Sequence, residues 1–185
     1  TDAVEGDWSP DGQRVVFLRA DHDQGNTLQR VLVASVQSGE ERQLQTASNV
    51  LWYGLRWSPD GKRIAVNEAA LSGNLASTSS VKLIDAADGS LRDLPLTDSR
   101  LPFAAVSWSP SGRRVITSQP LDLLSHMLSY PSLLLTSDVD APHARSLAWV
   151  PSRLPRGGWG YSTTGVLDGH TLVTDESVTM AEVHE

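Results

Sequence analysis

Two acidic residues at matching places in a repeated phrase are the first candidates for chemistry in this chain. Asp11 and Asp60 each follow Ser-Pro, and two carboxylates held close together could act as a general acid and a general base. Each one, however, lies in a Ser-Pro-Asp-Gly stretch, where an Asp side chain that bonds back to the backbone helps to close a turn. We therefore interpret both as turn residues and predict no catalytic residue at either position.

A polar run at residues 21–26 is the candidate for a metal site. The run, Asp-His-Asp-Gln-Gly-Asn, contains several oxygen ligands and one imidazole. A calcium loop needs a longer, regular series of ligands that ends in a bidentate acid, so we interpret the run as a solvated hairpin loop. No two histidines have the spacing of a local zinc site, and we predict no metal and no cofactor. The five histidines are His22, His126, His143, His170 and His184.

One serine lies close to the pattern of a hydrolase nucleophile. Ser162 stands in Gly-Tyr-Ser-Thr-Thr-Gly, which misses Gly-x-Ser-x-Gly because the second glycine is displaced by one residue. No α/β sheet pattern surrounds it, and neither type of glycine-rich phosphate loop is present. The sequence thus predicts that the chain is not an enzyme.

Composition excludes several classes of partner. The 185 residues carry a formal net charge of −7 and no cysteine. A negative chain does not attract phosphates, so we expect neither nucleic-acid binding nor binding to an anionic membrane. No apolar run approaches the ~20 residues that span a bilayer, and the chain begins at Thr1 without a signal peptide, as expected for a processed or excised segment.

Three copies of one short phrase organise the chain. They begin at Trp8, Trp57 and Trp108, 49 and 51 residues apart, and the third has Ser111 in place of the aspartate. Pro presets the backbone of a turn and Gly tolerates a positive φ, while the β-branched residues that follow favour a strand. A near-constant period of this length is typical of stacked supersecondary units.

Each repeat predicts a four-stranded antiparallel unit. In the second repeat, 80–85 and 90–94 are the expected third and fourth strands, and 30–36 and 41–44 match them in the first. Trp159 and the run 167–174 echo the phrase, with a further strand expected at 177–180. The predicted units are 1–48, 49–98, 99–150 with an insertion at 119–131, and a degenerate or partial fourth unit at 151–185.

Three further features have a structural and a functional interpretation. We expect Trp8, Trp57 and Trp108 to pack between units rather than line a ligand face, because a large aromatic at a fixed repeat position is typical of a core. The run 68–79 reads as a long flexible loop, either a passive connector or a recognition loop. The leucine-rich stretch 121–128 reads as a helical loop on the unit's edge or as a partner-binding segment.

The repeated phrase resembles the WD40-like repeat of TolB-type β-propellers, in which an aromatic precedes Ser-Pro-Asp-Gly, a basic residue and a short apolar strand. The likeness covers residues 4–118, and 119–185 only in outline. It implies an all-β fold: a β-propeller segment of three to four four-stranded antiparallel blades. A propeller usually closes with about four to eight blades, so we expect the segment to belong to a larger one.

The resemblance also implies a function. It implies a bacterial, non-enzymatic protein-binding or scaffold module in the periplasm or another extracytoplasmic compartment, with the cytoplasm left open. One alternative is the regulatory propeller of a prolyl-oligopeptidase-like peptidase, and another is a carbohydrate-active or carbohydrate-binding propeller. An incomplete set of blades exposes apolar faces and sheet edges, so the expected partner is a protein or the remaining blades of the propeller.

Overall fold

The computed structural model describes residues 3–23, 26–72, 75–94, 105–120, 132–140, 144–150, 164–166, 171–174 and 181–182. Every regular element in these ranges is a β-strand, and none of these residues lies in a helix that could cross a membrane. The chain divides into two compact units, Thr1–Leu94 and Pro95–Glu185.

The first unit contains two four-stranded antiparallel sheets, in each of which the strands lie side by side in chain order. The first sheet consists of β1 (Ala3–Trp8), β2 (Arg14–Asp23), β3 (Asn26–Ser35) and β4 (Glu41–Ser48). The second consists of β5 (Val50–Trp57), β6 (Arg63–Ser72), β7 (Leu75–Asp85) and β8 (Leu91–Leu94).

The second unit contains a four-stranded and a three-stranded antiparallel sheet. The third sheet consists of β9 (Ala105–Trp108), β10 (Arg114–Pro120), β11 (Ser132–Asp138) and β12 (Ala144–Val150). The fourth consists of β13 (Thr164–Val166), β14 (Thr171–Thr174) and β15 (Ala181–Glu182).

The repeated phrase forms the turn between the first two strands of a sheet. In the first copy, the N–H of Gly12 donates to the carbonyl of Ser9 at 2.9 Å, and Gly12 has a φ of 68°. That φ is costly for most residues with a side chain and costs glycine little, so the phrase ends in Gly for a backbone reason. The second copy repeats this hydrogen bond between Gly61 and Ser58.

The core of the first unit lies between its two sheets. Side chains alternate along a strand, so every second residue of β2 and β3 faces the second sheet. In the middle of the two strands these residues are fully or almost fully buried, as are the residues of the second sheet that meet them. The cluster comprises Val16, Leu18, Val31, Val33 and Leu44 from the first sheet and Trp52, Leu55, Trp57, Ile64, Val66, Ile84 and Ala86 from the second.

The all-β fold of four-stranded antiparallel sheets confirms the predicted fold class, but two predicted loops are wrong. Most of 21–26 belongs to β2 and β3, which pair out to Asp23 and Asn26, and most of 68–79 belongs to β6 and β7. Each added pair extends the backbone ladder, and small or polar side chains do not prevent strand pairing. The expected strand 177–180, the stretch 121–128 and Trp159 lie outside the described residues.

Candidate functional site

The carboxylate of Asp11 closes its own turn. The hydroxyl of Ser9 donates to Asp11 Oδ1 at 2.6 Å, and the N–H of Gln13 donates to the same oxygen at 3.0 Å. These two hydrogen bonds, the one from Ser9 first, hold the pKa of the Asp11 carboxyl below its ordinary value. The charged form is therefore the one that the turn stabilises.

Asp60 repeats this arrangement in the second sheet. Ser58 donates to Asp60 Oδ1 at 2.6 Å and the N–H of Lys62 donates at 3.0 Å. Burial by itself raises the pKa of Asp60, but these hydrogen bonds and the neighbouring positive charges outweigh it, and the pKa is lowered. In the third copy Ser111 makes longer contacts, 3.2 Å to Ser109 Oγ and 3.4 Å from the N–H of Arg113.

The three tryptophans of the phrase differ in exposure. Trp57 is 5% exposed and lies in the core between the first two sheets, as expected, and Trp108 is also buried, with 7% of its surface exposed. Trp8 is 60% exposed, so the expectation that it lies in a core is wrong. The physical reason is that no other sheet of its own unit packs on that side of the first sheet.

Two carboxylates that the sequence did not single out join the sheets of the first unit. The N–H of Trp57 donates to Asp7 Oδ2 and the N–H of Gly54 donates to Glu5 Oε2, both at 2.8 Å. Arg56 adds an ion pair with Glu5 at 3.7 Å. One repeat after Glu5 and Asp7 the sequence has Gly54 and Arg56, which are not acidic. The repeat pattern therefore does not point to these two carboxylates.

Polar side chains of the first sheet also bind the backbone of the second sheet near its turns. The guanidinium of Arg42 donates to the carbonyls of Ala86 and Ala87 at 2.6 and 2.8 Å, and Gln45 donates to the carbonyl of Gly89 at 2.7 Å. The Arg14 guanidinium lies 4.8 Å from the centre of the Trp57 ring, a cation–π contact. The two sheets are thus held by specific polar contacts as well as by the apolar core.

Glu68, the first residue of the expected loop, instead lies in β6 and binds two side chains of the second sheet. The indole N–H of Trp52 donates to Glu68 Oε2 at 2.8 Å, and Lys82 Nζ lies 3.2 Å from Oε1. Lys82 also pairs with Asp93 at 2.6 Å. Burial alone lowers the pKa of Lys82, but the two carboxylates outweigh it and the pKa is raised.

Asp21, the first residue of the candidate metal run 21–26, makes a cross-strand contact. Asp21 pairs with Arg30 of β3 at 2.7 Å, which gives this carboxylate a cationic partner. Among the described residues no group of three metal-ligating side chains is present. Ser162 and four of the five histidines, His126, His143, His170 and His184, lie outside the described residues; His22 lies in β2.

The longest strands of the first unit end in projecting hairpins. Among the described residues, β1 pairs with β2 as far as Arg19 and β4 pairs with β3 as far as Leu28, so residues 20–23 of β2 and 26–27 of β3 extend beyond these pairings. In the described part of the second sheet, β8 pairs with β7 as far as Val81. We call the described ends of these hairpins, residues 20–23, 26–28, 71–72 and 75–80, the hairpin edge. The turns of the repeated phrase lie at the opposite ends of the strands.

Comparison with known proteins identifies the fold and not a family. No family model and no curated protein matches the chain. Among solved structures, a TolB-type protein from Agrobacterium tumefaciens is 20% identical with a TM-score of 0.59, and the match covers 82% of this chain and 52% of that one. The β-propeller domain of the Trilobed protease from Pyrococcus furiosus is 15% identical with a TM-score of 0.60, covering 88% and 45%.

Peptidases are also among the structural matches. The acylaminoacyl peptidase from Pyrococcus horikoshii is 13% identical with a TM-score of 0.59, and the match covers 92% of this chain and 28% of the peptidase. The chain therefore spans about half the length of the TolB-type structure and about a quarter of the peptidase. The chain has the fold of a β-propeller segment, similar to part of the propellers of the TolB-type structure and the peptidases.

Proposed function

We propose that this chain is part of a non-enzymatic β-propeller that binds another protein or serves as a scaffold, as TolB-type domains do. The observation that carries the proposal is the hairpin edge, where β2–β3 and β6–β7 extend past their neighbours. In the described part of the second sheet, no strand pairs with the outer side of residues 75–80. The backbone of an edge strand can pair with a strand of a partner, which suits this edge to binding an extended segment of another protein.

The contacts of the acidic residues support a non-enzymatic role. Glu5 and Asp7 accept backbone hydrogen bonds across the sheet junction, and Asp11 and Asp60 close turns. Glu68 binds an indole and a lysine. Each of these carboxylates therefore has a structural task, and a general acid or base must be able to reach a substrate.

The second candidate function is the regulatory propeller of a prolyl-oligopeptidase-like enzyme. The matches to peptidases favour it, because the chain covers only 28% of the acylaminoacyl peptidase. On this alternative the catalytic domain lies elsewhere in a longer polypeptide, and the propeller meets that domain. The extracytoplasmic location remains part of the main proposal and rests on the TolB-type resemblance alone.

Photo-crosslinking in the native host distinguishes the two functions. A photoreactive amino acid replaces Leu28 at the hairpin edge, on the face of the first sheet that points away from the second sheet, and the matched control replaces Ser38, which is exposed in a turn at the opposite ends of the strands. A binding module forms a crosslink to a separate polypeptide from position 28 only. A crosslink from position 28 to a hydrolase domain of the same polypeptide favours the peptidase alternative, and equal crosslinking from both positions contradicts a role for the hairpin edge.

A hydrolysis assay tests the non-enzymatic part of the proposal. The purified chain is expected to release no fluorophore from fluorogenic peptide substrates. Turnover that is lost in Ser162→Ala would overturn the proposal, because it would assign catalysis to that serine.

A further inference from the structure

One strand edge of the second sheet is uncovered among the described residues. β6 pairs with β7 along its whole length, but β8 pairs with β7 only as far as Val81. The ladder between β6 and β7 is regular from Asp85 to Thr78 and shifts register beyond Thr78. Residues 78–80 are therefore a regular stretch with a described strand on one side only, and we call them the bare edge.

The first sheet shows what lies at this place when the edge is covered. Residues 28–30 of β3 match the bare edge, since each stretch is followed by a fully buried valine, Val31 or Val81. β4 pairs with all three of these β3 residues through Thr46, Ala47 and Ser48, which carry no charge. A short, uncharged, antiparallel strand thus fits beside this part of the repeat.

The residue after β8 limits how far that strand can extend the ladder. β8 ends at Leu94, and Pro95 follows it in the sequence. Proline has no N–H to donate to a neighbouring strand and is disfavoured within a ladder. β4, in contrast, continues for eight residues without a proline. This difference favours an end of the ladder at Leu94, which leaves the bare edge to another segment.

The bare edge itself carries no charge. No charged residue occurs between Glu68 and Lys82, and Lys82 lies 3.2 Å from Glu68 and 2.6 Å from Asp93, so the charges next to the edge have partners. Edge strands are usually protected by charged side chains or by proline, and Thr-Ser-Ser at 78–80 includes neither. A charged occupant would lose hydration here without gaining a partner, so an uncharged occupant is favoured.

We propose that the bare edge binds a short, uncharged, extended segment of a partner protein, which pairs antiparallel with residues 78–80 in line with β8. The segment is rich in Thr and Val, because β-branched residues favour an extended backbone and the small residues of the bare edge give them room. The inference rests on the proposed function and specifies which strand of the hairpin edge binds and what kind of segment it takes.

A single cysteine at the bare edge tests this pairing in the complete chain. The chain has no cysteine, so Ser80→Cys supplies one thiol, and the matched control is Arg30→Cys, at the same repeat position but paired with β4. The probe is the peptide acetyl-Thr-Val-Cys-Val-Thr-amide. It exchanges into a mixed disulfide in a glutathione buffer, and intact mass spectrometry gives the fraction of protein that retains it.

Four modified probes separate strand pairing from simple disulfide exchange. Two carry N-methyl groups, either on both valines or on the threonines and the cysteine, and two carry Asp or Lys in place of both valines. Alternate N–H groups of an antiparallel strand face its neighbour, so only one of the N-methylated probes should lose retention at Ser80→Cys, by about tenfold. Both charged probes should be retained less than the uncharged probe. At Arg30→Cys all of the probes should be retained equally.

Three results of this experiment overturn the proposal. Equal retention of the parent probe and both N-methylated probes at Ser80→Cys shows that no strand pairing occurs. Stronger retention of a charged probe shows that the occupant is not an uncharged segment. A disulfide-linked dimer of Ser80→Cys that forms in preference to the probe adduct assigns the bare edge to a second copy of the chain.

Hydrogen exchange of the unmodified chain tests whether the edge is open to a partner. With a strand on one side only, at least one amide of residues 78–80 should exchange fast, and it should slow when the probe is attached at Ser80→Cys. Slow exchange of all three amides without a probe overturns the proposal, because a segment of this chain then covers the edge.

The experiments distinguish a failure of this inference from a failure of the proposed function. A host crosslink from position 28 together with equal retention of the probes leaves the proposed function standing and removes the inference. Selective retention of the probe without any host crosslink counts against the proposed function and not against the bare edge.

Discussion

Removing the Asp7 carboxylate should weaken the junction between the first two sheets. In Asp7→Ala the N–H of Trp57, a residue only 5% exposed, loses an acceptor that lies at 2.8 Å. A hydrogen bond to a charged group contributes about 1.5–3 kcal/mol, so we expect a loss of that size in the free energy of unfolding. In a domain of this size each kcal/mol shifts the melting temperature by about 2–4 °C.

Asp7→Asn separates the acceptor from its charge. The amide oxygen of asparagine can still accept from Trp57, but a neutral hydrogen bond contributes only about 0.5–1.5 kcal/mol, so this variant should lose about half as much as alanine. The control is Asp93→Ala, because the side chain of Asp93 is 70% exposed and its pair with Lys82 is a surface ion pair. Such pairs contribute about 0–1 kcal/mol.

Urea unfolding and amide hydrogen exchange measure the effect together. Unfolding gives the change in stability, and exchange at the Trp57 amide reports whether the loss occurs at the junction. We expect faster exchange of this amide in Asp7→Ala and little change in Asp93→Ala. If Asp7→Ala costs no more than Asp93→Ala and the Trp57 amide stays protected, the reasoning that Asp7 holds the two sheets together is refuted.

Three further predictions follow from the described contacts. Asn67→Leu should raise the free energy of unfolding by about 1–3 kcal/mol, because Asn67 is fully buried and neither of its amide atoms bonds to any described residue. The first repeat has a leucine, Leu18, at the position of Asn67. Destabilisation in a urea titration would show that the amide has a partner. Ser111→Asp should slow hydrogen exchange at the third turn, since the contacts of Ser111 are longer than those of Asp60; unchanged exchange would contradict this. In Asp60→Asn the free energy of unfolding should depend less on pH in the acid range. The lowered pKa of Asp60 stabilises the fold above about pH 4, and this stabilisation is lost as the pH falls through the folded-state pKa. Melting curves between about pH 2 and 6 measure the difference, and parallel curves would contradict it.

The sequence predicted the turns because their chemistry is local. Asp11 and Asp60 bind a hydroxyl and an N–H two residues away, and Gly12 is required by its own φ. Contacts of this range are contained in the phrase itself, so three similar copies predict three similar turns. The burial of Trp57 was also predicted correctly, because residues of the preceding repeat pack on it.

The wrong predictions concern features that depend on context beyond the repeat. Trp8 has the same local sequence as Trp57, but its exposure depends on whether another sheet lies before it. The run 21–26 has the composition of a loop, yet its ends extend a hairpin, because pairing with the opposite strand outweighs composition. Glu5 and Asp7 were missed for a related reason: their partners are about 50 residues away and the repeat does not preserve them.

These differences distinguish one sheet from another. The turn phrase is nearly the same in each copy, so it cannot distinguish one sheet from another. The position before the phrase tryptophan does so: it is Asp7 in the first sheet, Arg56 in the second and Ser107 in the third. An arginine has no acceptor for an N–H, so Arg56 cannot have the role that Asp7 has toward the N–H of Trp57. The repeated residues therefore determine the turn of each sheet, while the unrepeated Glu5 and Asp7 determine the polar contacts at the junction of the first two sheets.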